Sequence, residues 1–189
     1  MKRISLIAGC FLPLIITYGA HGETLANGNI FVGYSYLNTD FTSGGRTSLN
    51  GWDASVEKKV FPFLAIVGDF SGQYGSLNRF TCPIPAGNLP GSCTNTNNVN
   101  EHNFLFGPRA YVAVGRGRLF ANALFGASHV GGSGLSTSDS SFGEAIGGGL
   151  DYRVVSRLSW RIQVDFLQTR FFHATQNNVR VSTGFAIRF

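Results

Sequence analysis

Beyond its first few residues this 189-residue chain has almost no lysine: only the adjacent Lys58 and Lys59 follow Lys2. Methionine appears once, as the initiator, and of three cysteines only Cys82 and Cys93 lie beyond the first 22 residues. Two cysteines with no further ligand residues nearby make no metal site, and no other pattern asks for a cofactor. Long apolar runs are missing too. Outside Ile4 to Tyr18 no segment offers about 18 consecutive apolar residues, which excludes a transmembrane helix after that stretch. Charge of either sign is scarce. The 15 basic residues drop to 13 once Lys2 and Arg3 are set aside, against 10 acidic ones, so the high pI reflects few titrating groups and gives no basic face for nucleic acid.

What is present begins with an address. Lys2 and Arg3 precede the apolar run Ile4 to Tyr18, and Ala20-His21-Gly22 is a small-x-small stretch suited to signal peptidase. Residues 1–22 read as a secretory signal and 23–189 as one domain. Ile7-Ala8-Gly9-Cys10 also matches a lipoprotein cleavage box, but it falls early and the apolar stretch continues past it through Ile16, which favours the ordinary signal.

Seventeen Phe and 25 Gly suit strands with aromatic outer faces and small inward residues. A period-2 template finds eight strands, near 29–39, 47–59, 62–75, 101–114, 118–130, 141–154, 157–170 and 178–189. The links at Val60-Phe61, Gly115-Arg116-Gly117 and Val155-Ser156 are tight, whereas those near 40–46, 76–100, 131–140 and 171–177 are longer and polar. Three short turns alternating with four longer loops predict an all-β fold: an eight-stranded antiparallel up-and-down transmembrane β-barrel, both termini on the short-turn side. Lipid leaves no water for an open sheet edge, so the first and last strands must pair.

The period also sorts the faces. Val32, Tyr34, Tyr36, Trp52, Ala54, Val56, Leu64, Ile66, Phe70, Phe104, Phe106, Val112, Ala121, Ala123, Phe125, Ile146, Leu150, Tyr152, Trp160, Ile162, Val164 and Phe166 are expected to face outward. Among them Tyr36, Trp52, Tyr152 and Trp160, with Phe189, are expected at the membrane interfaces, with Trp52 and Trp160 toward opposite ends of the wall. The inward face collects nine charges: Asp53, Glu57, Asp69, Arg109, Asp151, Arg161, Asp165, Arg180 and Arg188. Five acids and four bases in a narrow barrel need partners, so they are expected to form a salt-bridged filling. A gated ion path through rearranging pairs is the sharper alternative. Asp53 and Glu57 are read as acceptors for Arg109 or Arg161, not as a catalytic acid-base pair.

Between Ser76 and Asn100 the chain is rich in Pro, Gly and Asn around Cys82 and Cys93. In an oxidising compartment these two are expected to pair, closing a loop of about a dozen residues. Such a stapled loop could meet an external ligand or be an inert cap. His173 and Thr175 loosely resemble the His-x-Ser-Asn element of barrel lipid A deacylases, but Thr175 and Gln176 replace its serine and asparagine, so no catalytic residues are assigned.

The last eleven residues, Val179 to Phe189, alternate without a break and end on an aromatic. Val179, Val181, Thr183, Phe185, Ile187 and Phe189 share one face. This ending resembles the closing strand of bacterial outer-membrane barrels, in which a C-terminal Phe is read by the insertion machinery. With Phe31-Val32-Gly33-Tyr34-Ser35-Tyr36, Gly107-Pro108-Arg109 and Gly147-Gly148-Gly149-Leu150-Asp151, it makes the chain resemble the small OmpA-like outer-membrane β-barrel domain family along nearly its whole length. The resemblance implies a monomeric integral outer-membrane protein in contact with lipid, long loops outward, and no activity. A counterpart of the peptidoglycan-binding domain of full-length OmpA is not expected after Phe189. A structural or surface-interaction role is therefore expected first, a narrow low-conductance channel second and a lipid A acyl hydrolase third.

Overall fold

The structure, a computed structural model, describes residues 28–42, 45–79, 95–133 and 138–189. Eight strands follow in order: β1 Gly28–Thr42, β2 Gly45–Phe61, β3 Leu64–Arg79, β4 Asn95–Val114, β5 Gly117–Gly131, β6 Asp139–Arg153, β7 Leu158–Thr169 and β8 Gln176–Arg188. Each pairs antiparallel with the next, and β8 returns to β1, so the sheet is a closed barrel. A row of neighbours leaving β1 at Gly28 runs through Lys58, Ile66, Pro108, Ala123, Ile146, Phe166 and Val179 and comes back to β1 at Asn38, ten residues on. A stagger of this kind tilts the strands by roughly 35–45° and leaves an interior that side chains can fill.

Two connections differ from expectation. Val60 and Phe61 still belong to β2, and the turn is Pro62-Phe63 instead of the expected Val60-Phe61. Pro62 has no N–H to give a ladder and a fixed φ that suits a turn, so pairing continues up to it and stops there. At the other end β3 and β4 run past the expected limits, pairing Ser76 with Asn98 and Arg79 with Asn95. The sequence of this ribbon is polar apart from Leu77, so hydrophobic periodicity could not register it, although the backbone ladder continues. Gly115 turns β4 into β5 at φ +58°, a conformation glycine adopts without cost.

The radial order is inverted relative to a water-soluble protein. Val32, Phe61, Phe106, Ile146, Val164, Phe185 and many other large apolar side chains are exposed on the outer wall, while Arg109, Arg161 and Arg180 are fully buried inside. Burying apolar area is worth about 25 cal/mol per Å² in water, so so wide an exposed belt fits only an apolar surround. Among the described residues no helix is long and apolar enough to cross a membrane; the strands carry the apolar face.

Candidate functional site: the charged lumen

Near the short-turn end the inner wall gathers one cluster around Glu57, which arrives on the inward parity of β2. Its carboxylate accepts hydrogen bonds from Asn29 Nδ2 and Tyr111 Oη and, at 3.1 Å, from Arg109 Nη1. Arg118 and Arg161 each stand 3.6 Å from it. Arg161, from the next-to-last strand, donates Nε to Asp151 Oδ1 at 2.6 Å and Nη2 to Oδ2 at 3.0 Å, a two-pronged pairing whose geometry matches guanidinium to carboxylate. Arg118 joins the same Asp151 at 2.9 Å. Rings line the remaining faces of these cations: Phe120 lies 4.5 Å from Arg109 and 4.9 Å from Arg161, Phe31 lies 5.2 Å from Arg161, and Tyr111 lies 4.0 Å from Arg118.

A second cluster forms around Arg180. Its Nε and Nη2 donate to Asp165 Oδ2 at 3.1 and 2.8 Å, and Nη1 donates to Asp69 Oδ1 at 2.7 Å and to Ser71 Oγ at 3.0 Å. Asp165 also accepts from Gln163 at 2.7 Å and Asn122 at 3.3 Å. Because Gln163 accepts in turn from Arg109 at 3.2 Å, the two clusters are one hydrogen-bonded network spanning β2 to β8. Leu37, Leu49, Val67, Leu105, Leu124, Ala145 and Leu167 form a buried apolar cluster on the same inner wall. Val99, Val130 and Phe171 pack a second one at the long-loop end.

The nine charges expected inside do not all behave alike. Glu57 does receive both Arg109 and Arg161, but Asp53, expected to share them, does not. Asp53 sits four residues along β2 from Glu57, out of reach of those guanidiniums, and its electrostatic neighbours are Asp69, Arg180 and Asp165. It is fully buried, with the Ser182 hydroxyl facing its carboxylate and no guanidinium paired to it. Arg188 lies half-buried at the short-turn rim and donates to Ser159 Oγ at 3.0 Å. Two inward charges escaped the sequence reading. Glu101 is buried at the long-loop side, where Asn103 donates to it at 3.2 Å, and Arg118 belongs to the Asp151 pair. Parity would have found both: Glu101 shares it with Arg109 on β4, and Arg118 opposes the outward Ala121, Ala123 and Phe125 on β5.

A closed eight-stranded antiparallel barrel with an apolar exterior and ion pairs in its lumen can be compared with solved structures. One match is Neisserial surface protein A, at a TM-score of 0.65 and 9% identity, covering 86% of this chain and 97% of that one. The chain has the fold of the small outer-membrane β-barrels. Outer membrane protein OprG from Pseudomonas aeruginosa matches at a TM-score of 0.58 and 10% identity, over 86% of this chain and 95% of that one. Ail, the attachment invasion locus protein of Yersinia pestis, solved in complex with the heparin analogue sucrose octasulfate, matches at 0.55 and 14% identity, over 85% and 97%. At the level of sequence no protein-family model and no curated protein matches.

Within this barrel Tyr36, Trp52, Tyr152, Trp160 and Phe189 are all exposed on the outside. The indole of Trp160 donates to Thr183 Oγ1 at 3.0 Å, and Tyr36 Oη shares a 2.6 Å hydrogen bond with Ser48 Oγ. His173 and Thr175 are exposed in the β7–β8 loop and make no hydrogen bond to one another. Cys82 and Cys93, and the 1–22 segment, lie outside the described residues.

Proposed function

We propose that this chain is an integral outer-membrane protein whose barrel is a filled scaffold for its longer loops, with a structural or surface-interaction role. The observation that carries the reading is the interior, lined by the Arg109–Glu57, Arg161–Asp151 and Arg180–Asp165 ion pairs and, toward the long-loop end, by buried apolar clusters. Paired charges resist leaving one another inside a low-dielectric wall, and an apolar constriction excludes water. Both termini of the barrel lie at the short-turn end, which supports a periplasmic position for that end and an outward one for the loops. The exposed aromatic ring of Phe189 fits recognition by insertion machinery, and the chain works as a monomer because β1 and β8 satisfy each other's edges.

Two measurements test this. Unboiled protein in detergent should migrate differently from boiled protein, because a closed barrel resists unfolding until heated. In planar bilayers the purified protein should give no steady unit currents. Currents that disappear when Arg109 or Arg161 is neutralised would overturn the filled-scaffold reading in favour of a narrow channel. That second reading draws on one observation, the Asp53 carboxylate buried near Arg180 but outside the ion pairs that Arg180 makes with Asp69 and Asp165.

The segment between β3 and β4 is the part of the scaffold best suited to an external ligand, and a Cys82–Cys93 bridge would staple it. Closing a loop of this length is worth about 3 kcal/mol against the unfolded chain. Denatured but unreduced protein should accordingly titrate no free thiol, and two after reduction; two reactive thiols before reduction would exclude the bridge.

A further inference from the structure

Exposed acid on this barrel is confined to one end, the long-loop end, where Arg46 and Arg170 are exposed beside it. Among the described residues, the acidic side chains that reach the surface are Asp40, Asp139 and Glu144, and all three lie toward the long-loop end, on the last part of β1 and the first part of β6. At the short-turn end the surface is basic. Lys58 is exposed on the outer face of β2, Arg116 in the β4–β5 turn and Arg157 in the β6–β7 turn. Lys59, Arg118, Arg153 and Arg188 stand half-buried behind them, whereas the nearby acids, Glu57 and Asp151, are turned inward and buried. Among the described residues no acidic side chain is exposed at this rim. Backbone hydrogen bonds fix the turns against each other, Arg153 N to Arg116 O at 3.1 Å and Arg188 N to Arg157 O at 2.8 Å, so four arginines share one arc of the rim.

The same rim is apolar at its tips. Val60, Phe61, Phe63, Val114, Val154 and Val155 are each about half exposed or more, and the Phe61 and Phe63 rings stack at 6.0 Å with 14° between their planes. Turns that faced bulk water would leave this area uncovered at a cost that polar residues avoid. Beside them on the wall, the cross-strand pair Tyr152–Trp160 supplies amphipathic rings of the kind found at headgroup level. Cations interleaved with apolar tips at the depth of interfacial aromatics form a surface for a charged interface with an oily floor. A soluble acidic protein would complement only half of that chemistry.

We infer that the short-turn rim binds anionic phospholipid headgroups. Lys58, Arg116 and Arg157 meet the phosphates, and the Phe61–Phe63 and Val154–Val155 tips insert among the glycerol and upper acyl groups. The assignment rests on reading the chain as an integral membrane barrel, but not on which leaflet the rim meets.

The two tryptophans make the test specific to one end. The purified protein is refolded into vesicles containing brominated phosphatidylglycerol or brominated phosphatidylcholine, as single-tryptophan variants. Trp52→Phe leaves Trp160, two residues into β7 at the rim, and Trp160→Phe leaves Trp52, nine residues along β2 from Phe61. With each basic residue near a charged surface adding on the order of fivefold at low salt, Trp160 should report a several-fold preference for the anionic lipid while Trp52 reports little or none. Raising salt to about 0.5 M, where the screening length falls to a few Å, should erase the preference. The combined Lys58→Gln, Arg116→Gln and Arg157→Gln variant should abolish it while still migrating as a heat-modifiable barrel. Equal quenching by the two lipids at Trp160, or a preference that survives the triple substitution or high salt, would overturn the inference. Loss of the heat-modifiable band in the unmutated protein would instead overturn the barrel reading beneath it.

Discussion

Arg180→Met should lower the stability of the folded barrel by about 3–5 kcal/mol, seen as a shift to lower urea of the loss of the heat-modifiable band. Arg180 is fully buried, and it alone donates to both Asp69 and Asp165 while standing close to Asp53. Removing it leaves three inward carboxylates facing one another with no cation among them, and a low-dielectric wall magnifies their repulsion. The expected cost is therefore that of stranding buried charge when one partner of a buried pair is removed, and not a sum over the separate hydrogen bonds of Arg180. This distinction can be measured. Adding Asp69→Asn and Asp165→Asn to Arg180→Met should recover a large part of the loss, because the repelling charges go with their partner. If the triple variant is as unstable as the single one, packing around the methionine rather than stranded charge is responsible.

Gly184→Val should largely prevent the barrel from closing, so that refolding mixtures show little or no heat-modifiable band. Gly184 and Gly33 face each other across the β1–β8 seam on the inner wall. A Cβ on Gly184 would fall on the carbonyl oxygen of Val32 and on Cα of Gly33, and one on Gly33 would meet the Thr183 carbonyl oxygen and come within 2.7 Å of the Phe31 ring. Backbone cannot move aside there without breaking the last ladder to form. The absent side chains also leave the hollow in which Phe31 meets Arg161, itself paired with Asp151. A branched side chain should thus cost at least the upper end of the about 1–3 kcal/mol typical of overpacking, with the charged cluster displaced as well. Phe185→Leu, one residue away but exposed on the outer wall, should leave closure intact. A Gly184→Val protein that folds and shifts on heating like the parent would show that the seam has slack.

The wall of this barrel was legible because it obeys a local rule. With period 2, one inward residue assigns a whole strand, so Arg109 on β4 and Asp165 on β7 carried their neighbours to the correct side. The rule weakened at strand ends. Glu101 and Arg118 lie at the limits of the expected strands and were passed over, although parity included them. Pro62 moved a turn because it ends a ladder rather than because it breaks an apolar pattern. The largely polar ribbon that pairs residues 76–79 with 95–98 gave periodicity little to detect.

By itself, then, the sequence determined the number of strands, their order and the inner or outer side of most residues, since each depends on a two-residue repeat and on neighbours close along the chain. Only the tertiary structure decided which charges meet. Arg180 joins Asp69 from β8 to β3, and Arg109 joins Glu57 from β4 to β2, through side chains that cross the lumen. Those meetings depend on the stagger of ten residues around the closed sheet, which raises each strand relative to the last. That stagger is a property of closure, and it placed Asp53 beside Arg180 instead of beside the arginines that share its wall with Glu57.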